Sequence, residues 1–112
     1  MAKRLIINSD DYGRTPEISR GIREAHLQGV VTSTTCMMNI PTTADDVTIA
    51  LKETPRLGMG VHLVLTMGRP LSTREAVSSV VDENGNFFKY TPFIENLPRL
   101  KLDEVKAEWR LQ

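Results

Sequence analysis

Cysteine is nearly missing from this sequence: Cys36 stands alone among 112 residues. A single thiol excludes an internal disulfide and any cysteine-based zinc cluster. Net charge is missing too, because 14 lysines and arginines offset 14 aspartates and glutamates. A neutral chain has no electrostatic footprint for nucleic acid or for an anionic membrane, so neither is expected as a partner. No apolar run approaches the roughly 18 residues that span a bilayer. The two basic residues of MAKRL are followed by no long apolar segment and no small-residue cleavage site. A secretory signal is therefore not expected, and the cytoplasm is the expected location. Internal repeats and low-complexity segments are absent as well. What is present, 40% hydrophobic and 25% charged residues, is the balance of an ordinary globular domain. The length suits one small domain.

The pattern along the chain alternates. Arg4 to Ser9 is expected as a strand, and its near-continuous apolar centre suggests burial on both faces. The loop DDYGR follows. Thr15, Pro16 and Glu17 then open a helix as N-cap, first helical residue and dipole-matched acid. Ile18, Ile22 and Ala25 share one helical face, and Gly29 is a natural stop. VVTSTTCMM is dense in β-branched residues and reads as a second strand, with Cys36 as a small buried hydrophobe. TTADDVTIALKETP reads as a second helix. Thr43 is its cap, Ala44, Val47, Ala50 and Leu51 form its apolar stripe, and Asp45-Asp46 complement the dipole of its first turn. Leu57 to Thr66 is the third expected strand. This order predicts parallel strands joined by right-handed helical crossovers, an α/β layout.

The rhythm then changes. Met67 to Thr73 reads as a loop broken by Gly68 and Pro70. SSVVDENGNFFKY has two apolar runs around Asn84-Gly85, a hairpin signal, and such an excursion often serves as a lid or substrate-binding loop. A last helix begins at Leu102, with Leu102, Val105 and Trp109 at helical spacing. Three strands with two crossovers do not close a barrel, which takes about 250 residues. The expectation is a fragment with an open sheet edge, and a homo-oligomer formed through that edge.

Two features carry the chemistry. In α/β folds ligands bind at the carboxyl ends of parallel strands. Asp10 and Asp11 fall just past the first expected strand, and His62 lies in the C-terminal half of the third. Alternation puts His62 on the side of Gly58, Gly60 and Val64, where the two glycines clear space beside the imidazole. An oxygen and a nitrogen donor on one rim suit zinc, manganese or cobalt, and magnesium less well. Each feature also has an ordinary use. An acidic pair after a strand caps turns, and a histidine in a strand is commonly a bonded core residue. Tyr12 is either a packing aromatic or a substrate platform. His26, near a helix C-terminus, reads as structural. The residues alone support an α/β hydrolytic fragment and leave metal dependence open.

INSDDYG after the first strand, GVHLVLT after the second helix, and the intervening VTSTTCMMN together resemble the YdjC/ChbG-like carbohydrate deacetylases. VSSVVDENGNFF fits the same order, and the resemblance covers essentially the whole chain. It implies that residues 1–112 are the N-terminal portion of a single catalytic domain. That domain would be a variant (β/α) barrel like that of the polysaccharide deacetylases. It implies a divalent metal ion, magnesium or zinc, held by one aspartate and two histidines. Asp11 matches the aspartate ligand, His62 the first histidine ligand and Asp10 the general base. No residue here matches the second histidine, and the acid for the leaving amine is likewise expected elsewhere. The implied substrate is an N-acetylated amino sugar or chitooligosaccharide, with the fragment inactive alone. The competing expectations are a metal-dependent hydrolase or isomerase of another small phosphosugar, and a non-catalytic α/β module.

Overall fold

The computed structural model describes residues 3–112, so Met1 and Ala2 of the stretch read above for a leader lie outside it. The chain divides into two compact units, Met1–His62 and Leu63–Gln112.

The first unit is a three-stranded parallel sheet in the order β1-β2-β3. Its elements are β1 (Asn8–Tyr12), α1 (Pro16–Leu27), β2 (Ser33–Cys36), α2 (Thr43–Glu53) and β3 (Gly58–Val61). The expected α/β alternation is therefore present. The Thr15 cap is present as well, its side chain accepting from the Ile18 amide. One sheet face builds the core. Tyr12, Ile22, Cys36, Ala50 and Leu57 are buried together there, with Ile18, Val31, Val47 and Met59 packed against them. Burial pushes the Cys36 thiol pKa up, so this cysteine behaves as the small hydrophobe expected of it.

Several boundaries move. The first strand begins at Asn8 rather than Arg4, and Leu5 and Ile6 are 78% and 77% exposed rather than buried on both faces. The apolar run signalled burial, but the strand ladder lies further along, on the polar residues. The third strand is four residues long, extended by one bond from the His62 amide to the Cys36 carbonyl (2.8 Å). Thr43 is the first residue of α2 rather than its cap. Its hydroxyl is buried and donates to the Met37 carbonyl at 2.7 Å. The buried face of α2 runs through Thr43, Asp46 and Ala50, leaving Ala44 and Leu51 exposed. Asp45 fits the expected dipole role. Asp46 is instead buried and accepts from the Ser19 hydroxyl at 2.7 Å.

The second unit holds a 3-10 turn (Arg74–Val77), α3 (Tyr90–Asn96) and α4 (Leu102–Leu111). Its core is Val77, Val80, Val81, Phe87 and Val105. The expected hairpin is reduced to one antiparallel bridge, Val81 to Phe87. Gly85 turns it at a φ of 76°, and the Asp82 carboxylate accepts from the amides of Asn84 and Asn86. That side-chain cap replaces the ladder two strands would have made. The expected stripe of α4 is also corrected: Leu102 is 70% exposed, and the inward residues are Val105 and Glu108. The reason is polar. Glu108 is wholly buried and accepts from the amides of Leu71 and Ser72 at 2.9 and 2.8 Å, which have no ladder of their own.

Candidate active site

The face of the sheet opposite the core is polar. Period-two alternation sends Asn8 and Asp10 of β1, Ser33 and Thr35 of β2, and Gly58 and Gly60 of β3 to this side. Strict alternation would also send Asp11 to the core with its acid buried. A bulge prevents this. Ser9 pairs with Thr34 and Tyr12 with Cys36, so Asp10 and Asp11 together face the single residue Thr35. Asp11 takes a φ of 70°, the one positive value among the described non-glycine residues. Aspartate tolerates that left-handed geometry better than most residues, and such local strain concentrates at functional positions.

The bulge turns Asp11 toward the end of β3. Its Oδ1 lies 3.5 Å from Nδ1 of His62, and both side chains are about one-third exposed. Its Oδ2 accepts from Arg14 at 2.9 Å. Asp10 lies on the same rim. Its Oδ1 accepts from the Thr35 hydroxyl at 2.9 Å and from Nδ2 of Asn8 at 2.7 Å. The Thr35 oxygen is also 3.2 Å from Nδ1 of His62. The three residues singled out in the sequence are thus brought together, on the outer end of a short parallel sheet. On β3, a Cβ at Gly60 would meet only the Thr34 carbonyl oxygen, at 4.0 Å, so the space beside the rim is open.

Tyr12 is not on the rim. It is fully buried; its hydroxyl donates to the Asp46 carbonyl at 2.7 Å and accepts from Arg23 at 3.0 Å. Burial raises its pKa, against the opposing pull of Arg23. The substrate-platform reading is therefore corrected: no face of the ring is presented. Tyr12 instead ties the end of β1 to both helices. His26 stays local, with Nδ1 2.8 Å from the Val31 carbonyl oxygen.

Asn8, Arg14, Ser33 and Thr35 escaped the sequence reading. Three of them were detectable, because Asn8 is two residues before Asp10, and Ser33 and Thr35 keep the same period on the next strand. Arg14 approaches Asp11 only because the loop turns back, with the Arg14 amide donating to the Asp11 carbonyl at 3.1 Å.

As a donor set, the carboxylate of Asp11 and the imidazole of His62 fit a divalent ion as two adjacent protein ligands. Among the described residues no group of three histidine, cysteine or acidic side chains is arranged to hold a metal. The clefts found in the second unit, one of about 370 Å³ lined by Thr66, Gly68, Asp82, Asn86 and Lys89 among others, include none of these rim residues. No helix among the described residues is long and apolar enough to cross a membrane.

The model of the YdjC-like protein family matches residues 4–112. The chain is 46% identical over 109 residues to a carbohydrate deacetylase of Clostridium beijerinckii, covering 97% of this chain and 42% of that protein. It is 45% identical over 112 residues to a carbohydrate deacetylase of Enterococcus faecalis, covering 98% of this chain and 42% of that one. A crystal structure from Enterococcus faecalis V583, described as a candidate cellobiose-phosphate cleavage protein, superposes with a TM-score of 0.93 at 44% identity. It covers 100% of this chain and 42% of its own. The chain therefore spans less than half the length of these relatives.

Proposed function

This chain belongs to the YdjC-like family, and from that premise we propose that it carries part of the active site of a metal-dependent carbohydrate deacetylase. The reaction is hydrolysis of the N-acetyl group of an amino sugar or chitooligosaccharide, with release of acetate. The observation that carries this reading is the bulge at Asp10-Asp11, which puts two adjacent acids on the same rim as His62. The three strands are read as the start of a variant (β/α) barrel, and residues 3–112 as less than the whole catalytic domain.

Within this reading, Asp11 and His62 hold the divalent ion, zinc or magnesium. Bound there, the ion supplies Lewis acidity to an acetyl carbonyl and to a water molecule. Asp10 stands beside the pair and accepts the proton of the attacking water. The division of labour follows from geometry. Asp11 is turned toward His62, whereas Asp10 is held through one oxygen by Asn8 of its own strand and Thr35 of the neighbouring one, and among the described residues no donor meets its other oxygen. The third protein ligand and the acid for the leaving amine lie, on this reading, outside residues 3–112.

The full-length gene product decides the matter. It is expected to release acetate from an N-acetylated chitooligosaccharide, and Asp10→Asn to lower kcat by about 10²–10⁴-fold with metal content unchanged. Wild-type activity in Asp10→Asn removes the base assignment. A second reading, a phosphorylated sugar as substrate, is favoured by the name of the structural relative. Assaying acetylated sugars with and without a phosphate separates the two.

A further inference from the structure

We propose that Thr35, together with Asn8, positions Asp10: the pair grips one carboxylate oxygen and leaves the other to face the reacting water. This inference rests on Asp10 being the base. Both donors land on the same atom, Oδ1, at 2.9 Å from Thr35 and 2.7 Å from Asn8. Among the described residues nothing donates to Oδ2. A carboxylate held by one oxygen from two directions has its plane fixed and its second oxygen aimed.

The grip is itself supported. Ser33, the register partner of Asn8, donates to the Asn8 side-chain oxygen at 2.7 Å. That bond settles the orientation of the amide, so its NH₂ is the end that meets Asp10. The chain Ser33–Asn8–Asp10–Thr35 thus runs across two strands on one sheet face.

Thr35 has a single hydroxyl proton and two acceptors in reach, Oδ1 of Asp10 and Nδ1 of His62 at 3.2 Å. Nδ1 of His62 also lies 3.4 Å from the Asp11 amide, which donates to it, and the shorter of the two Thr35 contacts is the one to Asp10, so the hydroxyl proton is assigned to Asp10. Thr35 faces the bulge alone, the one residue opposite both acids, so no neighbour on β2 can replace it.

The test uses the full-length gene product and Thr35→Val, Thr35→Ser and Asp10→Asn, alone and with Thr35→Val and Asp10→Asn combined. Thermal unfolding first establishes that each variant is folded. With an N-acetylated chitooligosaccharide, Thr35→Val is expected to lower kcat by about 10–100-fold and leave KM within about twofold. Thr35→Ser restores most of the loss, and Thr35→Val has no further effect on top of Asp10→Asn. Metal content stays at the wild-type level. In crystals of metal-free Thr35→Val, the Asp10 carboxylate is expected to occupy more than one rotamer. The proposal is overturned by wild-type kcat in Thr35→Val, by failure of Thr35→Ser to rescue, or by an unchanged single rotamer of Asp10. Metal loss in proportion to activity also overturns it, because Thr35 would then act on His62. If instead Asp10→Asn is fully active, it is the base assignment that fails, and the rotamer of Asp10 still reports on the grip.

Discussion

A tyrosine that immediately follows two acids proposed to be functional invites a functional reading of its own, and here burial decides against it. The Tyr12 hydroxyl bridges the Asp46 carbonyl and the Arg23 guanidinium, and Arg23 in turn reaches Glu53 at 2.9 Å. Tyr12→Phe is therefore expected to cost about 1–3 kcal/mol of stability, the loss of a buried hydrogen-bonded hydroxyl with one charged partner. On the proposed activity, the full-length Tyr12→Phe variant should keep the wild-type KM for an N-acetylated chitooligosaccharide. Urea unfolding and steady-state kinetics together check this; a raised KM with unchanged stability would restore the substrate role. Arg14 makes the opposite case, a side chain that sequence did not single out. Its guanidinium sits on Oδ2 of Asp11, in an ion pair about one-third exposed. Arg14→Gln removes a positive charge from beside a proposed cation ligand. Calorimetric titration of the full-length protein with zinc should show affinity rising about two- to fivefold, the scale of an exposed pair. Weaker binding would mean that Arg14 holds Asp11 in place.

At the scale of elements, the bulge in β1 is what makes the rim. A regular strand would separate Asp10 from Asp11 by its two faces, and only one would meet His62. The turn after it is equally constrained. Gly13 has a φ of 88°, and a Cβ there would overlap the side chain of Thr43, the buried first residue of α2. Gly13→Ala is expected to destabilise by about 2–5 kcal/mol, summing the left-handed cost and the overpacking. A drop of that size in the denaturant midpoint checks it, and an unchanged midpoint would show that Thr43 moves aside freely. These elements also show how far the sequence could be read. The order of strands and helices was legible because caps and periodicity are local signals, as at Thr15 and Pro16. The start of β1 was not, because exposed Leu5 and Ile6 carry the pattern of a buried strand while the ladder itself runs through Asn8 and Ser9. Asp10, Asp11 and His62 stood out as residue types at strand ends. The bulge that gathers the acids had no marker, because register is set by a partner strand and not by the residues that bulge. In α4 the inward face was misread for a related reason: a glutamate is buried there to satisfy backbone amides of a loop distant in sequence.

At the scale of the whole chain, the candidate site lies within Met1–His62, while the most deeply buried carboxylate among the described residues, Glu108, lies within Leu63–Gln112. Burial alone would raise the Glu108 pKa, but hydrogen bonds from Ser72, Gln112 and Leu71 outweigh it and hold the carboxyl below its usual value. The sign then follows from linkage. A folded-state pKa below the unfolded one means that ionised Glu108 stabilises the fold at pH values above the ordinary glutamate value, about 4.3. That contribution is lost as the pH falls through this value toward the lower folded-state one. Glu108→Gln keeps the size of the side chain but cannot offer two carboxylate oxygens, so it is expected to be less stable than wild type at pH 7. The gap should shrink as the pH falls below about 4.3, as the contribution of the ionised carboxylate is progressively lost. Trp109, the one tryptophan, sits next to Glu108 on α4 and reports unfolding of this unit by its fluorescence. Urea midpoints for the two proteins at pH 7 and at low pH give the comparison. A gap independent of pH would show that Glu108 acts through packing and not through its charge.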